Sequence, residues 1–171
     1  MKSKNTLFEN DTAIVGVIGM DILSQKHCYF DMKNQTITFS DDKKNQTDSP
    51  YLVLSYKLSN KPLIDLSING SVFEDILFDT GFNSFMQLFE EERKKLNVQI
   101  LPLKEDTCYD FFNNKYIVNF EEHDSLKIND VTFSKPFVYY GKRLRLLGIV
   151  FVKCWSSFSI DPFKKEIEFY L

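Results

Sequence analysis

The residues with chemistry to offer are few. Three cysteines, Cys28, Cys108 and Cys154, form no Cys-x-x-Cys pair, and the two histidines, His27 and His123, stand far apart. A zinc site or a thiol nucleophile with a histidine partner is therefore not expected, nor is a cofactor. Among the many acidic residues, Asp79 stands in the run Leu77-Phe78-Asp79-Thr80-Gly81. From the tripeptide alone, Asp79 reads as an aspartate capping a tight turn. It gains hydrolytic chemistry only if a second carboxylate shares its site. Two close carboxyl groups cannot both ionise, so one keeps its proton while the other acts as base toward a water.

The elements that must position Asp79 are strand-like. Tyr51 to Leu58 alternates apolar and polar residues, as does Leu63 to Ile68 up to the turn pair Asn69-Gly70, and Val72 to Phe78 leads into Asp79. Further strands are expected at Tyr116 to Phe120, after a turn at Asn113-Asn114, and at Ser125 to Ile128, Val131 to Phe133, Phe137 to Tyr140 and Glu166 to Tyr170. Glu90 to Leu96 is the best short helix, with Glu90/Lys94 and Glu91/Lys95 at the i,i+4 spacing of a solvated charged face. Many short strands and 15% aromatic residues predict a mostly β domain of barrel or sandwich type. The polar segment Ser40 to Ser49 separates two apolar stretches and reads as a linker, placed at 41–50.

Two segments run in parallel: Gly16 to Phe39 and Arg145 to Phe169. Each has an aliphatic-Gly step (Ile18-Gly19, Leu147-Gly148), an apolar stretch, an aromatic region, and an aspartate (Asp31, Asp161). That aspartate opens a basic turn into a strand ending in Phe (Phe39, Phe169). The ordered series points to an internal duplication.

The run KPLIDLSINGSVFEDILFDTGFNSFMQL resembles the opening of retropepsin-like aspartic peptidases, where two strands deliver an apolar-apolar-Asp-Thr-Gly turn. SLKINDVTFSKPFVYY, RLLGIVFV and IDPFKKEIEFYL resemble, in order, the later hairpin, the second apolar-Gly segment and the closing strand. The resemblance implies a closed β-barrel lobe of the acid-protease fold over 51–171, with one or two short helices. Residues 1–40 then stand as the tail of a first, incomplete lobe. The resemblance also makes Asp79 the catalytic aspartate, with Thr80 and Gly81 bracing its turn. It puts the flap over Cys108 to Tyr116, so that Tyr109 or Tyr116 faces the cleft, and it puts Phe82 beside the carboxylate, where the family usually has Ala or Ser. Val150 likewise stands where relatives carry an acidic residue. Asp21 falls at a packing position and is not counted as a catalytic partner.

A single lobe supplies one aspartate, so the implied enzyme is an aspartic-type endopeptidase acting on a peptide or protein. Its second carboxylate comes from a homodimer partner or from a first lobe upstream in a longer polypeptide, as in the bilobal arrangement of pepsin. The competing reading is a non-catalytic peptide-binding or assembly module that keeps the fold, since a strand-lined cleft binds an extended peptide by main-chain pairing.

The bulk composition narrows the partners. A formal charge of -3 leaves no basic excess to neutralise a phosphate backbone, so nucleic acid is not an expected partner. The basic cluster Lys142, Arg143 and Arg145 reads as a solvated loop. No apolar run approaches the roughly 18 residues of a membrane helix, so no membrane span is expected, and the compartment stays open. Asn-x-Ser/Thr tripeptides at Asn10, Asn34, Asn45 and Asn69 read as turn-forming polar residues.

Overall fold

The computed structural model describes residues 18–42, 49–58, 61–99, 101–109 and 114–171. The described residues begin with a one-turn helix α1 (Met20–Leu23) and the hairpin β1 (His27–Asp31) and β2 (Thr36–Ser40). Then come β3 (Leu52–Leu58), β4 (Pro62–Ile68), β5 (Ser71–Phe78), β6 (Met86–Phe89) and a 3-10 helix (Glu90–Leu96). The middle holds β7 (Lys104–Tyr109), β8 (Lys115–Glu122), β9 (Ser125–Ile128), β10 (Val131–Ser134) and β11 (Phe137–Gly141). The short strand β12 (Leu146–Leu147), helix α2 (Ile149–Val152) and the hairpin β13 (Ser157–Asp161) and β14 (Glu166–Tyr170) close it. The protein is mostly β with short helices, as the sequence predicts.

One continuous ladder runs β2-β1-β13-β14-β3-β4-β5-β12-β6-β11-β8-β7, with the β9–β10 hairpin attached to β4. Alternation sets the faces: in β4, Ile64, Leu66 and Ile68 are fully buried while Asp65 is exposed between them. The β4–β5 turn uses Asn69 and Gly70, both at positive φ, which suits the twist of a tight hairpin. Both ends of the Asn69 side-chain amide are engaged, with Nδ2 donating to Leu96 O and Oδ1 accepting from Lys127 N. Asn69 is thus a turn residue, as its polarity suggests; Asn10 and Asn45 lie outside the described residues.

β5 carries a bulge. Ile64 pairs with Ile76 and Leu66 with Phe73, so Glu74 and Asp75 together oppose Asp65, and Asp75 takes a positive φ of 53°. Asp65 Oδ1 accepts from Asp75 N at 3.0 Å and from Lys57 Nζ at 3.0 Å, and Lys57 also reaches Asp75. The bulge resets the facing of β5, so that Ile76 and Phe78 share the face of Phe73, and Leu77 between them is also buried just ahead of Asp79.

The core is aromatic. Phe85, Phe133, Phe151, Trp155 and Phe169 pack ring against ring at centroid separations of 5.1–6.0 Å. Such edge and tilted contacts add to burial that already dominates the energetics of large aromatic side chains.

Three expectations need correction or restriction. Glu90–Leu96 is a 3-10 helix, and its realised ion pair is Lys95–Glu92 at i,i+3. The i,i+4 pairs give way because a 3-10 turn brings residues three apart onto one face. Nor is its face wholly solvated, because Glu92 turns inward and is buried against Arg145. Arg145 in turn leaves the expected solvated cluster: Nε and Nη2 each donate to the Glu92 carboxylate at 2.9 Å, and the guanidinium lies over the Phe89 ring. Lys142 and Arg143 stay exposed. Residues 1–17, 43–48 within the expected linker, and Asn113 of the expected turn lie outside the described residues; Ser40 belongs to β2.

Candidate active site

Asp79 occupies the turn between β5 and β6, and this turn is held from below by a strand distant in sequence. β12 inserts between β5 and β6, parallel to the first (Leu146↔Leu77, Leu147↔Phe78) and antiparallel to the second (Leu147↔Met86). Leu77 N donates to Arg145 O and Asp79 N to Leu147 O, both at 2.9 Å. Past the strand, Gly148 N donates to Phe85 O, Ile149 N to Phe82 O and Val150 N to Ser84 O. The Asp79 turn is thus pinned on both sides of its exposed tip by residues 145–150. The aliphatic-Gly motif visible in the sequence is the segment that does it.

Gly148 sits where no side chain fits. A Cβ there would lie 2.2 Å from Ser84 O and 2.6 Å from Phe82 O. Its φ is -104°, so the requirement is space and not backbone conformation.

Within the turn, Phe82 N donates to Asp79 O at 3.0 Å, and Gly81 N donates to Asp79 Oδ1 at 2.9 Å. The second of these fixes the orientation of the carboxylate. Asp79 is half-buried, and Thr80 and Gly81 are exposed. A carboxylate at the solvent boundary, oriented by a backbone N–H, can accept a proton from a water or share one with a second acid.

The Phe82 ring leans onto Tyr139 of β11 in an edge contact at 6.1 Å, and Tyr139 stacks on Phe120 of β8 at 5.3 Å. Tyr139 Oη donates to Asp106 Oδ2 of β7 at 2.8 Å. Burial, then this bond to a carboxylate, pushes the Tyr139 hydroxyl up to about 12, so it remains a donor. The β7–β8 hairpin is therefore tied to the Asp79 turn through Asp106, Tyr139 and Phe82.

Of the residues expected at the site, Asp79, Thr80, Gly81 and Phe82 share one turn. Tyr109 and Tyr116 lie together on the end of the β7–β8 hairpin, at pairs Tyr109↔Lys115 and Cys108↔Tyr116, and both are exposed. Residues 110–113 of the expected flap lie outside the described residues.

Beside the hairpin, a buried ionic cluster anchors β8. Arg93 Nη2 donates to Glu121 Oε2 at 2.8 Å and to Leu101 O at 2.6 Å, and Tyr140 Oη donates to Glu121 Oε1. Burial pushes the Glu121 carboxyl up, but the bonds from Arg93 and Tyr140 outweigh it and hold it below its ordinary value. Burial lowers the His123 pKa against the pull of Glu121, whose Oε1 lies 3.2 Å from His123 Nε2.

Tyr139, Asp106 and the Arg93–Glu121 pair were not legible beforehand. Their partners are distant in sequence, and no local spacing marks them.

No family model matches the sequence, and no curated protein does. Among solved structures, the chain is similar to a retropepsin-like aspartic protease from Rickettsia conorii. The match has 21% identity, covers 70% of this chain and 88% of that one, and has a TM-score of 0.49. That likeness concerns the fold alone.

Proposed function

We propose that this chain is an aspartic-type endopeptidase lobe in which Asp79 activates a water against a peptide bond, with the second carboxylate supplied by another lobe or subunit. The observation that carries the reading is the pinned turn. Asp79 is oriented by Gly81 N and locked onto β12 through Leu147 O, so the carboxylate is held in one place before any substrate arrives. Thr80 and Gly81 face solvent where a second lobe would meet them. In the reaction, one carboxyl group keeps the shared proton and donates it to the scissile carbonyl while the other takes a proton from the attacking water. Phe82, Tyr109 and Tyr116 are the substrate-facing side chains in this reading, with the β7–β8 hairpin as the cover.

The test is peptide-library cleavage across acidic to neutral pH by the protein in its native assembly, wild type against Asp79→Asn. Abolished cleavage with unchanged circular dichroism is expected, with a bell-shaped profile for the wild type. Cleavage that survives Asp79→Asn overturns the mechanism. Peptides bound but not cut by the wild type would instead assign a peptide-binding module.

A further inference from the structure

The partner question has a geometric answer in the α1–β1–β2 and α2–β13–β14 units. The two share their order and local detail. Gly19 and Gly148 precede the helices with φ of -103° and -104°. Asp31 Oδ1 accepts from Asn34 N as Asp161 Oδ1 does from Lys164 N, and Gln35 and Lys165 take positive φ of 54° and 58°.

β1 and β13 are antiparallel neighbours, paired Cys28↔Ile160, Tyr29↔Ser159 and Phe30↔Phe158. Cys28, Tyr29 and Phe30 stand in their unit where Phe158, Ser159 and Ile160 stand in theirs. Exchanging the units turns the first pair into the third and leaves Tyr29↔Ser159 unchanged. A local two-fold axis therefore passes between Tyr29 and Ser159, and the order β2-β1-β13-β14 is its palindrome.

The surroundings are not symmetric. Leu147, Phe151, Ile167 and Phe169 are each 0% exposed, closed over by the lobe core, and β3 pairs along the outer edge of β14. Their counterparts Ile18, Ile22, Ile37 and Phe39 are 51%, 47%, 46% and 41% exposed, and β2 ends the ladder among the described residues. Four apolar residues at core positions, beside a strand edge whose twin is paired, mark an interface.

We infer that the partner of this lobe is a second lobe of the same architecture, built on α1–β1–β2 as its own closing unit. That lobe lays a strand along β2 and closes its core over Ile18, Ile22, Ile37 and Phe39. A second copy of this chain docked through β13 is excluded, because β1 already occupies the place of the two-fold mate of β13. By the register of β14 on β3, where Ile167 faces Leu54 and Phe169 faces Leu52, the incoming strand sets apolar residues opposite Ile37 and Phe39. The inference rests on reading the lobe as half of a two-aspartate site, and its test reads assembly, not cleavage.

Two measurements decide it. In the full chain with Cys108→Ser and Cys154→Ser, a short bifunctional thiol reagent is applied to Ser159→Cys and to Tyr29→Cys/Ser159→Cys. The single variant is expected to stay monomeric, and the double variant to bridge within one chain. A covalent dimer of the single variant overturns the inference, since Ser159 would lie on a homodimer axis. Hydrogen exchange is then followed in the recombinant chain and in the protein isolated from its native source. The β2 amides should exchange roughly tenfold or more slowly in the native species. That species should also carry a second lobe with its own Asp-Thr/Ser-Gly turn. Fast exchange there, or protection without such a lobe, refutes the proposal. An inactive two-lobe species would refute the peptidase reading alone, and a cleaving homodimer would refute this inference alone.

Discussion

Gly148→Ala tests whether the Asp79 turn is held by the close approach of residues 148–150. The added methyl would sit 2.2 Å from Ser84 O and 2.6 Å from Phe82 O, both backbone atoms that cannot swing aside. Relieving the overlap costs about 1–3 kcal/mol as overpacking. Displacing the turn also weakens the bonds from Gly148, Ile149 and Val150 to Phe85, Phe82 and Ser84, each contributing about 1 kcal/mol. With those three bonds weakened and not broken, so that about 2 kcal/mol of their total is lost, the overall loss is about 3–5 kcal/mol. Gly19→Ala is the matched control, since Gly19 has nearly the same φ and, among the described residues, its added Cβ would meet the Asp21 side-chain carboxylate alone, which can rotate away. The unfolded-state benefit of about 0.4–1 kcal/mol for Gly→Ala is common to both and cancels in the comparison. Urea unfolding should place the two variants about 3–5 kcal/mol apart, with the m-value unchanged. Equal midpoints would refute the claim that the turn is sterically locked onto residues 148–150.

Phe151→Ala should cost about 3–5 kcal/mol by emptying a fully buried ring site. Ile22→Ala, its half-exposed counterpart, should stay within about 0.5 kcal/mol in the chain alone, by the same urea assay. Acidification should lower stability in two stages. His123 has a folded-state pKa below its ordinary 6.5, so the unfolded chain binds the proton first and stability falls as pH drops from that value. Glu121 and Glu92 are held below their ordinary 4.5, so their contribution is complete above that value and is lost as pH falls further. A urea midpoint that is flat from pH 7 to pH 4 would refute this. Tyr139→Phe removes one hydrogen bond to Asp106, for about 0.5–1.5 kcal/mol, and should speed amide exchange in β7 more than in β13. Asp79→Asn should leave the unfolding free energy within about 0.5 kcal/mol of wild type, because the half-exposed turn keeps its backbone bonds.

Much of the framework was legible because alternation and turn chemistry are local. β9 and β14 fall at Ser125–Ile128 and Glu166–Tyr170 as read, and β4 and β5 differ by one residue at their starts. The strands β1, β6, β7, β12 and β13 went unread, and β7 and β12 lack that local signal. β12 is two residues long and exists only because β5 and β6 leave a slot for it, and β7 has exposed residues along most of its length. The bulge at Asp75 was equally silent, since it depends on Asp65 and Lys57 closing over it from neighbouring strands. For the site, Asp79, Thr80 and Gly81 were visible as a tripeptide. What restrains them is only half visible in the sequence: Leu147-Gly148 stands out as a motif, whereas nothing local distinguishes Arg145 from a solvent-facing residue, because its partner Glu92 lies 53 residues away.

Phe82 puts a large side chain where the resemblance leads one to expect Ala or Ser. Its placement gives that bulk a structural role besides the proposed one of facing the cleft. Its carbonyl accepts from Ile149 N, and its ring lies against the space that Gly148 leaves open, with Cδ1 2.7 Å from where a Cβ would stand. The ring then continues onto Tyr139, whose hydroxyl reaches Asp106. A small residue at this position would leave Tyr139 without its edge contact and the β7–β8 hairpin without an apolar tie to the Asp79 turn. The bulk of Phe82 and the bareness of Gly148 are therefore complementary. Ala at Phe82 and Ala at Gly148 attack the same contact from opposite sides, one by emptying it and one by overfilling it. Because the two sites share that contact, their effects should be non-additive, with the double variant less destabilised than the sum of the singles. The emptied ring site removes the clash with Cδ1, but the backbone oxygens of Ser84 and of residue 82 remain in the path of the Gly148 methyl, so the relief is partial.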